Sequence, residues 1–288
     1  MSRPRRTMLF IPGNNPGMIQ NSGILGADTI ILDLEDAVSL TEKDSARILV
    51  KSAISSVNFY GSEVVVRINP LSTEYSEADI REIAQVLPHA FLVAKATEED
   101  IIKVDYIIGE VEKANGFEEG IIKIFPLIET AYGLYNIYNI IKASKRVIGV
   151  LLGAEDLTAD LGIVRTRGGE EIFYARSKVA AACKALKVDA IDTPFTDLED
   201  MEGFILDIEK AKSIGMTGKA AINPRQIDVI HGVFAPTIDE VNYANRVIEA
   251  QREATLENKG VFSLDGKMVD APIIARAINI LNKSKLYE

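Results

Sequence analysis

Short apolar runs rich in Val and Ile recur along the chain, and between them lie longer stretches of helical period. The runs predict strands over Thr7–Pro12, Thr29–Glu35, Glu63–Asn69, Ala90–Ala96, Ile121–Glu129, Val147–Ala154, Val188–Thr193 and Gly218–Asn223. They are continuously apolar rather than alternating, which fits parallel strands covered on both faces. "TEKDSARILVKSAI", "TEEDIIKVDYIIGEVEKA" and "RSKVAAACKALK" have helical spacing. The first offers Thr41 as an N-cap, with Glu42 and Asp44 where negative charge suits the helix dipole. Eight strand-plus-helix units in roughly 225 residues predict an α/β fold, a (β/α)8 TIM barrel. A doubly wound open sheet is the runner-up, but its first turn would carry G-x-G-x-x-G, and here that turn reads "PGNNPG". From Pro236 the pattern adds a long helix, a hairpin-like "FSLDGKMVD" and a terminal helix. The expected division is a barrel over 1–235 and a helical extension over 236–288.

Composition narrows this picture. At 288 residues and 47% hydrophobic the chain can bury a large core. No stretch approaches the roughly 20 apolar residues of a membrane span. "MSRPRR" runs directly into a strand, unlike a signal peptide. A single cysteine, Cys183, excludes an internal disulfide and fits a reducing cytoplasm; its mid-helix place marks it as a core residue. The net charge of −10 argues against nucleic acid as the main partner. Arg3, Arg5 and Arg6 form one basic cluster, readable as a solvated arm or as a clamp for an anionic group.

In a barrel of this kind the chemistry sits at the C-terminal strand ends. "IILDLEDAV" ends the second strand in Asp33, Glu35 and Asp36; Arg67 and Asn69 end the third, and Lys95 the fourth. Glu129 ends the fifth, Glu155 and Asp156 follow the sixth, and Asn223 ends the eighth. Buried charge is costly unless paired or metal-bound. One reading is an ion-pair network in which Arg67 and Lys95 satisfy the acids. The other is a hard divalent cation. Mg²⁺ takes one or two carboxylates and leaves its other positions to water and substrate. Glu129 and Asp156 could supply that pair, with the other acids orienting waters. Zinc does not fit, because only His89 and His231 exist and neither lies at a strand end. There is no G-x-S-x-G elbow and no P-loop. A Schiff-base role for Lys95 would need a lowered pKa, which neighbouring acids oppose. A metal, an arginine and carboxylates suit polarising a carbonyl and stabilising an enolate, the work of a metal-dependent aldolase.

"TMLFIPGNNPGM", "DLEDAV" with "EKDSAR", "VVVRINP", "LIETAYG", "LGAEDLTADLG", "GKAAINPRQI" and "LDGKMVDAPI" carry a resemblance over essentially the whole chain, in order. Together they resemble the citrate lyase beta subunits of the HpcH/HpaI aldolase superfamily. The resemblance implies retro-Claisen-type cleavage of a citryl thioester, citryl-ACP or citryl-CoA, to oxaloacetate and an acetyl thioester. It implies Glu129 and Asp156 as ligands of Mg²⁺, with Mn²⁺ as a substitute. Arg67 would bind the oxo-acid and steady the enolate oxygen. The backbone of Gly153, Ala154, Glu155 and Asp156 would hold a substrate carboxylate, with Lys95 nearby. Glu35 and Asp36 would order metal-bound water, facing Lys95 and the Lys43/Arg47 helix. Asp270, in "KMVDAP", would act as acid or base in a neighbouring subunit's site, which implies a homotrimer or hexamer. Coenzyme A, or a coenzyme-A-derived arm on an acyl carrier protein, would be part of the substrate, its phosphates met by the arginine cluster. A transferase subunit would complete the complex. One departure is Ala94, where relatives often have proline. The alternatives are a stand-alone malyl-CoA or citramalyl-CoA lyase and a non-catalytic scaffold.

Overall fold

The computed structural model describes residues 3–256 and 260–287. Eight parallel strands close a barrel in sequence order: β1 (Thr7–Pro12), β2 (Thr29–Asp33), β3 (Glu63–Ile68), β4 (Ala90–Val93), β5 (Lys123–Ile128), β6 (Gly149–Leu152), β7 (Asp189–Asp192) and β8 (Gly218–Ala221). The connecting helices are α1 (Pro16–Ser22), α2 (Lys43–Ser56), α3 (Ser76–Ile83), α4 (Glu98–Asn115), α5 (Ala131–Lys142), α6 (Ala154–Leu161), α7 (Phe173–Leu186) and α8 (Met201–Ser213), and α9 (Ile227–Phe234) follows β8.

One inward residue from each strand builds the barrel core: Met8, Ile31, Val65, Leu92, Leu127, Leu151, Ile191 and Ala220, with Phe125 below. Side chains alternate along a strand, so the next inward layer lies two residues on. That layer is Phe10, Asp33, Arg67, Ala94, Glu129, Gly153, Thr193 and Ile222. The polar positions thus share one level because the hydrophobic layer beneath them is in register; Asp33 pairs directly with Arg67.

Several strands stop earlier than the apolar runs predict. β2 ends at Asp33 because its carboxylate accepts the N–H groups of Glu35 and Ala37, at 2.9 and 3.2 Å, and curls the chain out of the ladder. β4 ends at Val93, and Lys95 adopts a left-handed backbone, φ +50°. Gly153 leaves β6 to begin α6.

Arg5 and Arg6 contradict both sequence readings, solvated arm and phosphate clamp. Arg5 lies over the Phe125 ring and donates to Glu63 (2.7 Å through both Nε and Nη2) and to Asp189 (2.8 Å). Arg6 bonds Asp28 at 2.8 and 2.9 Å. Glu63 and Asp189 begin β3 and β7, so Arg5 fastens the end of the barrel opposite the strand termini. Arg3 is exposed.

A second ion-pair group lies outside the sheet. Asp192 and Lys219 face away from inward Ile191 and Ala220, toward α7 and α8. Arg176 donates to Asp192 (2.8 Å) and Asp207 (2.7 Å), and Lys219 reaches the same two acids at 2.6 and 2.7 Å. All four are buried, two cations against two anions, so each charge is compensated.

Arg5–Ile230 forms one compact unit and the chain from His231 contributes a second. The second contains α10 (Ile238–Leu256), the antiparallel pair β9 (Phe262–Leu264) and β10 (Lys267–Val269), and α11 (Ala271–Tyr287). Its core is Ala244, Val247, Val269 and Ala277. Asp265 and Gly266 turn the hairpin with φ of +52° and +74°, the two-residue turn that Asp-Gly favours.

Removing one member of the buried α7–α8 group strands an opposite charge. Lys219→Met is expected to lose about 3–5 kcal/mol of stability in urea unfolding with an unchanged m-value. A loss under about 1 kcal/mol would contradict the role assigned to the group.

Candidate active site

The site starts from Asp33. Its two oxygens take Arg67 Nε and Nη2 at 2.7 and 2.6 Å, a bidentate clamp inside the barrel. Phe10 lies beneath the guanidinium, 5.1 Å from its carbon. With two of its nitrogens committed, Arg67 presents Nη1, whose directed bond is a long one of 3.3 Å to exposed Asp36. Nη1 also stands 2.8 Å from Glu35 Oε2, but no N–H points at that oxygen, which is buried without a hydrogen-bond partner among the described residues. Charge proximity and hydrogen bonding differ here, and the geometry leaves Oε2 an open acceptor.

The turn carrying Glu35 is held from outside. Buried Lys43 on α2 donates to the carbonyls of Leu34 and Glu35 at 2.8 and 2.6 Å. Arg47 does not face the acids as expected: it binds Asp79 at 2.8 Å, and Asp79 in turn anchors Asn69 after β3. Asn223 likewise caps the short turn Pro224–Gln226.

On the other side of the barrel Glu129 is 2% exposed, and Oε1 accepts the Lys95 backbone N–H at 2.7 Å. Lys95 therefore contributes its amide to Glu129, while its side chain is exposed. Gly153 has no alternative: a Cβ there would lie 2.7 Å from Glu129 Cβ and 2.9 Å from Oε2. Half-buried Asp156 lies in the first turn of α6; Glu155 beside it is exposed and pairs with Arg165 at 3.0 Å. The Gly153 and Ala154 amides are already used, by Ile128 O (2.9 Å) and Thr193 Oγ1 (3.1 Å). The Glu155 and Asp156 amides, which have no intrahelical acceptor, are the donors α6 leaves over. Asp270 lies in the C-terminal unit, half-buried, and its side chain and carbonyl accept from the first amides of α11.

The layer is short of positive charge. Asp33, Glu35, Asp36, Glu129 and Asp156 face Arg67, Lys43 and Lys95, an excess of two negative charges. Two carboxyls respond. Burial, with repulsion from Glu35 and Asp156, raises Glu129 to about 8. Burial raises Glu35 to about 7, opposed by Arg67 and reinforced by Asp36 and Asp33. Two protons there carry the charge that one dication would. No group of three or more His, Cys, Asp or Glu side chains able to share an ion occurs among the described residues. An all-oxygen pair, Glu129 and Asp156, nevertheless suits Mg²⁺, which keeps most of its positions for water and substrate. The donor set and its charge deficit fit that cation. A surface cleft of about 1210 Å³ lies elsewhere, beside α4; Glu112 and Arg146 in its lining neutralise each other at 2.7 Å.

The profile of the HpcH/HpaI aldolase/citrate lyase family matches residues 6–224. The chain belongs to that family. Citrate lyase subunit beta of Leuconostoc mesenteroides subsp. cremoris is 43% identical over 280 residues, 97% of this chain and 93% of the relative. Mitochondrial citramalyl-CoA lyase of Rattus norvegicus is 31% identical over 96% of this chain and 85% of its own length. Among solved structures, the CitE protein of Mycobacterium tuberculosis superposes with a TM-score of 0.82 at 27% identity, covering 98% of each chain. That protein was crystallised with magnesium, acetoacetate and coenzyme A.

Within this HpcH/HpaI barrel, sequence reasoning brought together Arg67, Glu35, Asp36, Glu129, Asp156 and Lys95. It named Asp33 only among the strand-end acids and Lys43 only as part of the helix facing Glu35 and Asp36, and it passed over Phe10 and Thr193. Asp33 could have been found from register, since β2 and β3 run in step and place it opposite Arg67.

Both raised carboxyls bind more protons in the folded chain than in the unfolded one between pH about 4.5 and their raised values. Stability of the cation-free protein should therefore fall as pH rises through about 5 to 8, by up to about 1.4 kcal/mol per pH unit per group. Glu129→Gln should flatten that slope. Urea unfolding in EDTA measures it, and stability that rises with pH in this window would count against the assignment.

Proposed function

We propose that the chain is a divalent-cation-dependent carbon–carbon lyase that cleaves a citryl thioester to oxaloacetate and an acetyl thioester, as the beta subunit of a citrate lyase. The observation that carries this is the charge-deficient carboxylate layer facing an arginine clamped by Asp33. The 43% identity to a citrate lyase beta subunit, against 31% to a citramalyl-CoA lyase, favours the citryl substrate.

The residues divide the work as follows. Arg67, fixed through Nε and Nη2, offers Nη1 to the oxo-acid and to the oxygen that becomes negative. The Glu155 and Asp156 amides bind a substrate carboxylate at the α6 N-terminus. Glu35 Oε2, lacking a directed donor, takes the proton of the substrate's tertiary hydroxyl. As that oxygen becomes a carbonyl, the bond to the adjacent methylene breaks and its electrons move into the thioester enolate. Asp270 of the partner subunit then returns a proton to the methylene carbon, giving the acetyl thioester. Glu129 and Asp156 would hold Mg²⁺ or Mn²⁺, which when bound supplies Lewis-acid polarisation of the oxo-acid. Asp36 and Lys95 flank the entrance.

The same reading makes the chain a homotrimer or hexamer, working in the cytoplasm with an acyl carrier protein and a transferase subunit. No helix among the described residues is long and apolar enough to cross a membrane, and a single cysteine, Cys183, leaves no internal disulfide that would call for an oxidising compartment.

The test is oxaloacetate release from citryl-CoA, coupled to malate dehydrogenase, with and without EDTA. Malyl-CoA and citramalyl-CoA are run beside it. Cation-dependent cleavage of citryl-CoA is expected, with Glu129→Gln and Asp156→Asn each slower by about 10²-fold or more. Arg67→Lys should fall comparably, since an ammonium cannot keep the Asp33 fork and still reach substrate. Preferential cleavage of malyl- or citramalyl-CoA would move the substrate assignment, and full activity in EDTA would overturn the mechanism.

A further inference from the structure

The charge of this chain is unevenly spread. Helices α5 and α7, of 12 and 14 residues, contain none of its 42 acidic residues. They pack side by side: Lys178 of α7 donates to the Tyr135 carbonyl on α5 at 3.0 Å and lies 5.0 Å from that ring's centroid. Their outer faces expose Tyr132 (63%), Tyr135 (79%), Tyr138, Phe173 and Tyr174. Lys142, Lys145, Lys184 and Lys187 continue the same surface, all exposed. None of these lysines has a carboxylate partner among the described residues. Lys142 and Lys178 rest on tyrosine rings instead, Lys142 at 5.4 Å.

Several surface cations elsewhere are matched: Arg81 with Glu77 and Glu110, Arg167 with Asp200, Lys210 with Glu170. Others, such as Lys103 and Lys113 on acid-rich α4, have acidic neighbours on their own helix, which α5 and α7 lack. An aromatic face continued by unmatched cations toward the C-terminal ends of both helices has the composition of a protein interface, with tyrosines as anchors and charges that steer a partner. Both helices start at the strand-end rim of the barrel, α5 two residues after Glu129, so the aromatic end lies toward the mouth. By helix rise the pair is about 18–21 Å long, and two helices about 10 Å apart offer a footprint on the order of 400 Å². That is well short of the ~800 Å² per partner of a stable complex and suits a partner that must leave after each turnover.

We propose that the α5–α7 face is the docking surface for an acidic carrier domain that brings the acyl thioester to the barrel mouth. The proposal rests on the citryl thioester reading. A nucleic acid or an anionic membrane would meet the same lysines but also the remainder of a chain of net charge −10, which repels it. A second copy in an isologous contact would set lysine against lysine.

The test compares two substrates on the same preparations. Lys142→Glu/Lys178→Glu and, separately, Tyr135→Ala are assayed with citryl-CoA and with the citryl thioester on the acyl carrier subunit. Expected is a loss of at least tenfold in kcat/KM on the carrier-bound substrate, deepest at low salt, with citryl-CoA cleavage unchanged. Unchanged turnover of both substrates, or equal loss on both, would overturn the docking role. Sedimentation runs alongside, and a change in oligomer mass would assign the face to a second copy and likewise overturn it. Wild-type inactivity on citryl-CoA and carrier thioester together would instead refute the lyase reading. Circular dichroism melting separates unfolded variants, and Tyr135→Phe, keeping the ring, should retain carrier turnover.

Discussion

The Asp33–Arg67 clamp is the interaction on which the mouth of this barrel depends. Asp33 has four donors on two oxygens: two guanidinium N–H groups and the amides of Glu35 and Ala37. One carboxylate thereby ends a strand, shapes the turn beyond it and fixes the plane of the arginine. Arg67 in turn is the cation nearest Glu35 and Asp36. Asparagine at 33 would keep the volume but offer one acceptor oxygen in place of two, so the turn and the guanidinium would compete for it.

The rest of the structure offsets what this mouth leaves uncompensated. Buried carboxyls held near each other oppose folding unless protons or a cation intervene. Elsewhere burial of charge is balanced: Arg176, Lys219, Asp192 and Asp207 sum to zero between sheet and helices, and Arg146 meets Glu112 and Asp105 beside α4. Arg5 ties the starts of β3 and β7, strands far apart in sequence, at the end away from the mouth. Imbalance is confined to one level of one end of the barrel, which is what a binding site for a positive ion and an anionic substrate requires.

The barrel was legible because parallel strands buried on both faces leave continuous apolar runs, and eight of them at even spacing admit few architectures. Strand ends were overshot where buried residues such as Leu34, Ala94 and Ala96 prolong the run after the ladder has stopped. The places of Arg67 and Glu129 at strand ends could be read from the apolar runs, whereas Asp156, expected to follow a longer sixth strand, lies in the first turn of α6. Asp33 hid among three acids within four positions, and only register singles it out. Arg5 and Arg6 were misread because local charge density says nothing about partners: Glu63 and Asp189 lie 58 and 184 residues from Arg5. Lys219, within "GKAA", gave no signal, because its partners come from strand β7 and helix α8, which the fold alone brings to it.

Gly153 bears on how this family can change over time. Its missing side chain is the space that Glu129 fills, so position 153 is not free to vary on its own. The nearest atom to a Cβ at 153 would be Glu129 Cβ, at 2.7 Å, so any side chain at 129, carboxylate or not, demands glycine at 153 as long as the backbone stays where it is. The pair therefore works as a record: in a newly sequenced homologue with the same barrel, a branched residue at 153 would mark a chain in which β5 and the start of α6 have moved apart and position 129 no longer sits where it does here, even where the arginine and the other acids survive.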